Sequence, residues 1–466
     1  MLPTALPLEP LPLPDADTLR AALASHGARW VECSVGDFTA TARGKRVAAA
    51  DFVGLGGCRL PSVVLGLTLS AGEPDTVFGP LLPATYDDMV VVPDLATLVP
   101  RPGRSAEVSV ICEPVGCLPL DDGRQVEMAA LSPRAVLRGV LARLAEHGLQ
   151  ATVAPELELF LLDRAQGTPE AARPVPGFAL HERSCDALSL ERLTHFEPYF
   201  DALFSACEVM GIPVNGHAHE SALSQYEVNF RPGPPLAQAD AVWRFKRLAR
   251  EIAVRHGVVA SFAAKPFLQE PGTGMHWHLS LQRTASDGWP HVFSLPDGQD
   301  APALHHFIAG VQAEAAGAMA LFAPYGMSWD RIRLSNASPS HATWGRESRA
   351  LALRIPASGA SSRRVENRLP GGDANPYLVL AATLGLGWAG LQAQRAPLPN
   401  DHPGVRLPTD LPGALDALRH HSPQLRKLLG EPLVALYAAL KQHEHAQRQA
   451  LAHPRDWDMA HLLELA

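Results

Sequence analysis

The sequence lacks the segments that place a chain in or across a membrane. It contains no breaker-free apolar run of about 18 residues, the length that a membrane-spanning helix needs. Its opening residues, MLPTALPLEPLPLPDAD, lack the basic stretch with which a signal peptide begins. We therefore expect a cytoplasmic protein with no membrane partner.

Basic charge and paired cysteines are also scarce. The formal net charge is −8 at pH 7, which disfavours a nucleic-acid partner because such binding relies on a basic surface. The six cysteines include no CxxC pair and no dense framework. We expect reduced, buried thiols, with Cys112 and Cys117 the only close pair along the sequence.

Length and composition predict a globular protein with a small unit and a large one. A chain of 466 residues, 47% of them apolar, can bury a substantial core. Residues 1–27 are rich in proline and predict a flexible arm, residues 28–125 a small β domain, and residues 126–466 a large α+β domain. We place the strands of the small domain at 29–35, 45–49, 62–69, 88–92 and 107–113.

The large unit alternates helical and extended patterns. Ser132 and Pro133 form an N-cap and first-turn pair ahead of an apolar helical face, and Gly148 ends that helix. A strand is predicted at 152–162. Further helices are predicted at 236–256, 302–322, 376–393 and 423–450.

Residues 270–281, EPGTGMHWHLSL, are the most informative stretch. Alternation in a strand places His276 and His278 on one face. Imidazole binds divalent cations, and the glycines at 272 and 274 let a ligand approach the backbone closely. The same run is also typical of ordinary surface or hydrogen-bonded core histidines.

Carboxylates recur in other apolar segments. Glu156 and Glu158 share one strand face in VAPELELFLLD. A strand whose polar side faces solvent also produces this pattern. Glu220 and Glu227 follow in NGHAHESALSQYEVNF, and Glu366 lies in RRVENRLPGG. Together with the histidines, these acids indicate oxygen-rich sites for Mg²⁺ or Mn²⁺.

Arginine supplies the complementary charge, since the basic residues are mostly arginine. The segment WDRIRLSNASPSHATWGRESRALALRIP contains Arg331, Arg333, Arg346, Arg349 and Arg354. Each of them alone is typical of a solvated or ion-paired side chain. Together with the acids they indicate a site for phosphate and a substrate carboxylate, because guanidinium binds both anions bidentately.

From about residue 28 to the C-terminal helices the chain resembles the glutamine synthetases. The motifs occur in that family's order: PELELF, HE-x4-QYE, KPF followed by GTGMHWHLSL, W-x4-R-x4-RIP, and RRVENR followed by NPYL. The resemblance implies the α+β glutamine synthetase fold, with a β-grasp-like N-terminal domain and a large catalytic domain. It also implies ATP-dependent activation of glutamate and a homo-oligomer with shared active sites, a dodecamer of two stacked hexameric rings.

The resemblance assigns roles to individual residues. One divalent cation, Mg²⁺ or Mn²⁺, is expected at Glu158, Glu220 and Glu227, and a second at Glu156, His276 and Glu366. The nucleotide is expected at His278, Ser280, Arg349, Arg354 and Arg364. Glutamate is expected at Gly272, Arg331 and Arg368, and Arg331 and Arg349 are the expected catalytic arginines.

Two departures from the family indicate an amine larger than ammonia. Ala337, in LSNASP, stands where ammonia-using members carry an acid, and GCRLPSVV at 57–64 replaces a DGSS-like motif that supplies an aspartate to the neighbouring subunit. Without these acids an ammonium pocket loses its cation binding and its proton acceptor. RGKR at 43–46 further resembles the glutamate–amine ligase branch, although in a hairpin it is typical of a solvated turn.

We therefore predict a γ-glutamyl–amine ligase whose partners are ATP, glutamate and a polyamine or small monoamine. Two alternatives stay open: an ammonia-using glutamine synthetase, and a non-catalytic structural homologue. Two further departures from the family pattern concern the binding of glutamate and of the nucleotide. Pro271 stands before Gly272 where an Asn is expected, and Ser361 stands where a nucleotide-side lysine is common.

Overall fold

The computed structural model of the protein describes residues 8–163, 187–285, 288–334 and 338–466. Its elements up to the predicted domain boundary are, in chain order, α1 (Ala16–Ala24), β1 (Trp30–Gly36), β2 (Ala42–Ala48), α2 (Ala49–Leu55), β3 (Cys58–Pro61), β4 (Asp88–Pro93), β5 (Val99–Pro100), β6 (Glu107–Val115), β7 (Cys117–Pro119) and β8 (Gln125–Glu127).

A six-stranded sheet organises this N-terminal part. Its strand order is β2-β1-β6-β4-β3, with β5 paired to β6, and β1 and β6 run parallel. On β1 the alternating residues Val31, Cys33 and Val35 are buried, as the apolar periodicity predicts. The sheet ends at Val115, before the predicted boundary at 125/126, which stays a prediction.

The prediction of a flexible arm over residues 1–27 is wrong for residues 16–24, which form α1. Asp15 caps this helix by accepting a hydrogen bond from the Thr18 amide at 2.7 Å. Leu19 and Leu23, one helical turn apart, are buried in the core. The prolines that precede the helix obscured this short amphipathic pattern.

Two other N-terminal predictions are corrected. The strand placed at 62–69 is a 3₁₀ helix over Ser62–Leu65 followed by a loop, because a short apolar run does not distinguish a strand from a buried helical turn. RGKR lies in β2 rather than in a turn. Its Arg43 points inward and pairs with Asp37 at 2.8 Å, while Lys45 and Arg46 are exposed.

The cysteines also differ from expectation. Cys33, Cys58, Cys112 and Cys207 are free and buried, as predicted, but Cys117 is exposed. In space, Cys33 lies close to both Cys112 and Cys58, and its interaction with the Cys112 thiol raises the pKa of Cys33. Cys185 lies outside the described residues.

The remaining elements form the large unit. They are α3 (Pro133–Glu146), β9 (Leu149–Asp163), α4 (Leu190–Thr194), α5 (Glu197–Val209), β10 (Val214–His219), β11 (Gln225–Phe230), α6 (Pro235–Arg255), β12 (Val258–Ser261), β13 (Met275–Arg283), α7 (Pro302–Ala313), α8 (Ala315–Phe322), α9 (Gly326–Arg333), β14 (Trp344–Arg346), β15 (Leu353–Ile355), β16 (Val365–Asn367), α10 (Pro376–Gln392), α11 (Leu411–Asp416), α12 (Pro423–Leu429), α13 (Glu431–Gln449) and α14 (Pro454–Leu465). The predicted α+β class is confirmed.

The second sheet has eight strands in the order β10-β11-β9-β13-β16-β15-β14, with β12 also paired to β9. The long strand β9 lies near its centre, antiparallel to β11, β12 and β13. The helix α10 is apolar around almost its whole circumference and is buried, as such a helix must be. In the part of the chain that the structure describes, no helix is both long and apolar enough to cross a membrane.

The predicted helix ends are partly confirmed. The Ser132 hydroxyl accepts a hydrogen bond from the Ala135 amide and begins α3 as expected. The predicted helix at 302–322 is broken at Glu314, whose carboxylate instead caps α12 through the amides of Gln424 and Leu425 at 3.0 and 2.8 Å. The predicted helix at 423–450 is broken at Gly430, whose φ is +85°.

A buried ion network joins the two parts of the molecule. Arg134 on α3 donates to Glu113 of β6 at 2.7 Å, to Asp94 beyond β4 at 2.7 Å, and to both carboxylate oxygens of Asp240 on α6 at 2.9 Å. The Arg134 side chain is 3% exposed. One guanidinium therefore compensates three carboxylates between the sheet of the N-terminal part and the helices of the large unit.

We predict that Arg134→Met lowers the free energy of unfolding by about 3–5 kcal/mol, because it removes the salt bridges of buried Asp240 and partly buried Asp94 and leaves Glu113 with Arg138 alone. Urea denaturation monitored by circular dichroism measures this change. The control is Arg124→Met, which breaks a pair with Asp122 whose side chains are 66% and 52% exposed. That change is expected to cost under about 1 kcal/mol. Equal effects of the two substitutions would contradict the importance of the network.

Candidate active site

The pairing of β9 with its neighbours brings the predicted acidic and histidine residues to one sheet face. Glu156 pairs with Asn229 of β11 on one side and with His276 of β13 on the other. Glu158, two residues along the same face, pairs with Glu227 of β11. Residues directly opposite one another in antiparallel strands point to the same side of the sheet. Segments far apart in sequence thus contribute to one row of side chains.

A second row lies beside the first. His278 of β13 pairs with Glu366 of β16, which in turn pairs with Arg354 of β15. The Arg354 guanidinium donates to Glu366 at 2.6 Å. The predicted alternation of the two histidines on β13 is confirmed, and both are buried. His278 links the rows, because its Nε2 lies 2.9 Å from a Glu156 carboxylate oxygen.

Three of the predicted metal ligands lie together. One ligand atom from each of Glu156, His276 and Glu366 falls within 4.8 Å of the other two. His276 Nδ1 lies 3.8 Å from a carboxylate oxygen of Glu156 and 3.8 Å from one of Glu366. Burial lowers the pKa of His276 to about 4, so its imidazole is neutral and available as a ligand at pH 7. This set fits a divalent cation.

The other predicted metal ligands crowd one another electrostatically. Burial, followed by the charge of Glu220, raises the pKa of Glu158 to about 8. Burial and the charge of Glu156 raise the pKa of Glu227 to about 7. Glu158 also accepts hydrogen bonds from the Gly274 amide at 3.0 Å and from Gln225 at 3.1 Å.

The ligand atoms of Glu158, Glu220 and Glu227 do not meet the spacing found for Glu156, His276 and Glu366. A Glu220 carboxylate oxygen accepts from the amide of Ser221 at 3.1 Å. Among the described residues, the Glu156 set alone meets the 4.8 Å spacing. The repulsion within the second set is nevertheless what a bound divalent cation relieves, and its oxygen donors suit Mg²⁺ or Mn²⁺.

The residues predicted to bind glutamate also meet. A Cβ on Gly272 would lie 2.3 Å from the Ala264 carbonyl oxygen and 2.9 Å from Cγ of Arg331, so this position has room for glycine only. Arg331 is buried, and Arg368 donates to Glu366 and to the Arg349 carbonyl. Arg368, which is predicted to bind glutamate, is therefore in direct contact with Glu366, which is predicted to bind a metal ion.

A cleft of about 610 Å³ opens beside the histidine row. It is lined by the predicted nucleotide residues His278, Ser280 and Arg364, and by Ser361. Arg364 donates to His278 Nδ1 at 3.2 Å. Asn215 and Gln282 line the cleft as well and were missed, since isolated amides give no sequence signal of their own.

The other two arginines predicted at the nucleotide do not line this cleft. Arg354 is committed to Glu366, and Arg349 is exposed. Arg349 is close enough to Glu227 for its positive charge to offset part of the rise in the pKa of that carboxyl. Arg333 and Arg346 pair with Asp330 and Asp300 and lie outside the rows, as expected of ordinary surface arginines. Ala337 lies outside the described residues.

Comparison with known proteins identifies the family. Residues 130–460 match the model of the glutamine synthetase catalytic domain. With that match, the eight-stranded sheet and its acidic rows define the protein as an ATP-dependent carbon–nitrogen ligase. The chain belongs to the glutamine synthetase family, and ATP-dependent ligation of glutamate is its chemistry. The alternative of a non-catalytic homologue is thereby set aside.

Relatives with different amine substrates are similar to the chain. The γ-glutamylputrescine synthetase PuuA of Escherichia coli K12 is 31% identical over 91% of this chain and 89% of its own length. The glutamate–isopropylamine ligase of a Pseudomonas species is 28% identical over 96% and 97%. The glutamine synthetase of Thermus thermophilus is 32% identical over 81% and 83%.

Solved structures agree on the fold. A ligand-free structure of GmaS aligns with a TM-score of 0.77 and 25% identity, covering 94% of this chain and 98% of that chain. A crystal structure described as a novel glutamine synthase homolog aligns with a TM-score of 0.78 and 27% identity, covering 94% and 99%. The predicted glutamine synthetase fold is confirmed.

We predict that Glu158→Gln stabilises the cation-free protein at alkaline pH. The raised pKa of Glu158 means that the folded protein holds a proton that the unfolded chain has lost between pH 4.5 and about 8. Stability therefore falls as pH rises through this window, and the neutral amide escapes that loss. In EDTA at pH 8.5 the free energy of unfolding should be higher than in the wild type by at least about 1 kcal/mol.

The stabilisation should shrink as the pH is lowered toward 5, where the folded wild type keeps Glu158 protonated. Glu127→Gln, a change at an exposed position, serves as the control and should leave stability unaltered at both pH values. Equal stability of Glu158→Gln and wild type at pH 8.5 would contradict a cost of burying the ionised Glu158 carboxylate beside Glu220.

Proposed function

We propose that the protein joins the γ-carboxylate of glutamate to an amine larger than ammonia. The observation that carries this proposal is the missing pair of acids that ammonia-using family members supply. Ala337 stands at one position, and residues 57–64, GCRLPSVV, contain no acid at the other. The charged side chain in that segment is Arg59, which is exposed on β3.

The relatives support this reading without deciding the amine. Two of them are named for ligation of glutamate to putrescine and to isopropylamine, a diamine and a branched monoamine. These names describe the activities of the relatives. At about 30% identity they support an amine substrate for this chain and leave both amine classes open.

The reaction follows from the chemistry of an acyl phosphate. An oxygen of the glutamate γ-carboxylate attacks the γ-phosphorus of ATP, the bond to the β,γ-bridging oxygen breaks, and ADP leaves. The amine nitrogen then attacks the γ-carbonyl carbon of the γ-glutamyl phosphate. The carbon–oxygen bond to phosphate breaks, the nitrogen loses a proton, and an amide and inorganic phosphate remain.

Separate groups of residues bind glutamate, bind the nucleotide and stabilise the transferred phosphoryl group. Gly272, Arg331 and Arg368 orient glutamate, with the guanidinium groups opposing its negative charge. His278, Ser280 and Arg364 hold the nucleotide in the cleft beside the histidine row. Arg349 and Arg354 offset the charge that develops on the transferred phosphoryl group.

Two divalent cations, Mg²⁺ or Mn²⁺, would complete the site and neutralise phosphate charge when bound. One would be held by Glu156, His276 and Glu366, whose ligand atoms lie within 4.8 Å of one another. The other would be held by Glu158, Glu220 and Glu227.

The alternative is an ammonia-using glutamine synthetase. It is favoured by the 32% identity to the enzyme of Thermus thermophilus, which is named for that activity. The two functions differ in the amine alone, so one assay separates them.

We predict that a primary amine larger than ammonia is used at least about tenfold more efficiently than ammonium, a gap of about 1.4 kcal/mol in transition-state free energy. Phosphate release from ATP and glutamate, measured across a panel with ammonium, isopropylamine, ethanolamine and putrescine, tests this. Ammonium as the best nucleophile would replace the proposal with ordinary glutamine synthesis.

A pair of variants links the result to its cause. Ala337→Glu restores the missing acid and should narrow the preference for the larger amine over ammonium. Ala337→Gln has nearly the same size without the charge. It should lower the rate with the larger amine while giving no gain with ammonium.

We further propose that the protein is a ring-shaped homo-oligomer, a dodecamer of two stacked hexamers, in which the N-terminal domain completes a neighbour's active site. This rests on the family to which the chain belongs. Sedimentation velocity on the active protein should show a particle many times the 49.9 kDa mass of one chain. A monomer with full activity would contradict shared active sites.

A further inference from the structure

The two halves of the glutamate subsite proposed above are held by one loop, residues 368–373, between β16 and α10. The Arg331 guanidinium donates hydrogen bonds to the carbonyl oxygens of Arg368 at 3.2 Å and of Leu369 at 2.9 Å. Arg331 is 6% exposed, so these bonds determine where its charge lies.

The same loop also holds the glycine half of the subsite. The amide of Gly372 donates to the Thr273 carbonyl at 3.1 Å, and the Pro370 carbonyl accepts from the Met275 amide at 3.0 Å. These bonds lie one and three residues after Gly272 and fix the segment that approaches Arg331. A shift of the 368–373 loop would therefore move both halves at once.

Two buried charges secure this loop from behind. Lys246 of α6, 3% exposed, donates from its ammonium group to the Gly372 carbonyl at 2.7 Å. Asp373, 2% exposed, accepts from the Ser328 hydroxyl at 2.7 Å, and Ser328 lies one turn before Arg331 on α9. Burial raises the pKa of Asp373 and lowers that of Lys246, while each charge favours the ionised form of the other.

The loop is packed closely against its neighbours at two glycines. A Cβ on Gly372 would lie 2.6 Å from the Thr273 hydroxyl and 2.8 Å from the Phe262 carbonyl oxygen. A Cβ on Gly371 would lie 2.7 Å from a carboxylate oxygen of Asp373. Backbone packed this closely transmits a displacement at Lys246 to the segment around Gly272.

We propose that Lys246 and Asp373 are positioning residues for glutamate binding. Neither touches the substrate. Lys246 holds the 368–373 loop against the glycine segment, and Asp373 ties the loop to the helix that carries Arg331. This inference rests on the assignment of Gly272 and Arg331 to the glutamate subsite.

The test measures glutamate binding to the full-length protein without any amine, so that the identity of the amine has no bearing on it. Calorimetric titration with glutamate is carried out with Mg²⁺ and an ATP analogue that has a methylene bridge between its β- and γ-phosphates. Lys246→Met should weaken glutamate binding about tenfold or more, while the affinity for the analogue changes less than about twofold.

The matched control lies on the same helix. Arg244 is also buried on α6 and donates to a backbone carbonyl, that of Thr97 at 2.6 Å, but toward the sheet of the N-terminal part. Arg244→Met should lower the thermal midpoint while keeping glutamate affinity within about twofold of the wild type. Equal weakening by both substitutions would show a general loss of stability and overturn the proposal.

The double variant Lys246→Met/Asp373→Asn separates positioning from charge balance. It removes the unpaired charge that either single change leaves and should recover the thermal midpoint, but glutamate binding should stay weak because the bond to Gly372 is still absent. Recovery of both properties would overturn the proposal. If Lys246→Met does not fold, Ser328→Ala, which removes the hydroxyl that ties Asp373 to α9, should weaken glutamate binding at least about threefold, and unchanged binding would overturn the proposal.

Discussion

Strand register around β9 is the constraint on which the site depends. Glu156 and Glu158 occupy one face of this strand, and pairing with β11 and β13 sets Asn229, Glu227 and His276 opposite them. A shift of one residue in either partner strand would turn its side chains to the opposite face of the sheet and disperse the row. The buried apolar residues of the partner strands, such as Val228 and Trp277, resist such a shift because it would place them among the acids.

The acidic rows carry an energetic cost that the protein handles in two ways. Glu366 is fully buried, yet the positive charge of Arg368 holds its pKa below the ordinary range against the effect of burial. Glu158 and Glu227 have no comparable arginine bond, and their pKa values rise instead. Glu366 is thus neutralised by arginine, whereas Glu158 and Glu227 favour their protonated forms until a cation is bound.

Buried polar contacts outside the site hold its surroundings in place. The Arg134 network ties the N-terminal sheet to α3 and α6, and Lys246 on α6 reaches the loop behind the glutamate subsite. Asn375, which caps α10, also donates to the carbonyl oxygen of Asp37 in the N-terminal part. Helix α6 therefore connects the interface between the two parts of the molecule to the 368–373 loop, which holds Arg331.

The sequence by itself determined the α+β class, the alternation of acids and histidines on single strands, and the ordered motifs that indicate the glutamine synthetase family. These are local properties, since strand periodicity and motif spacing depend on neighbouring residues alone. Only the tertiary structure decided which strands pair, that Glu156, His276 and Glu366 converge, that Arg43 and Arg354 are committed to acids, and that α1 packs into the core. Those outcomes depend on contacts between residues far apart along the chain, and burial and charge compensation at such contacts have no signature in local sequence.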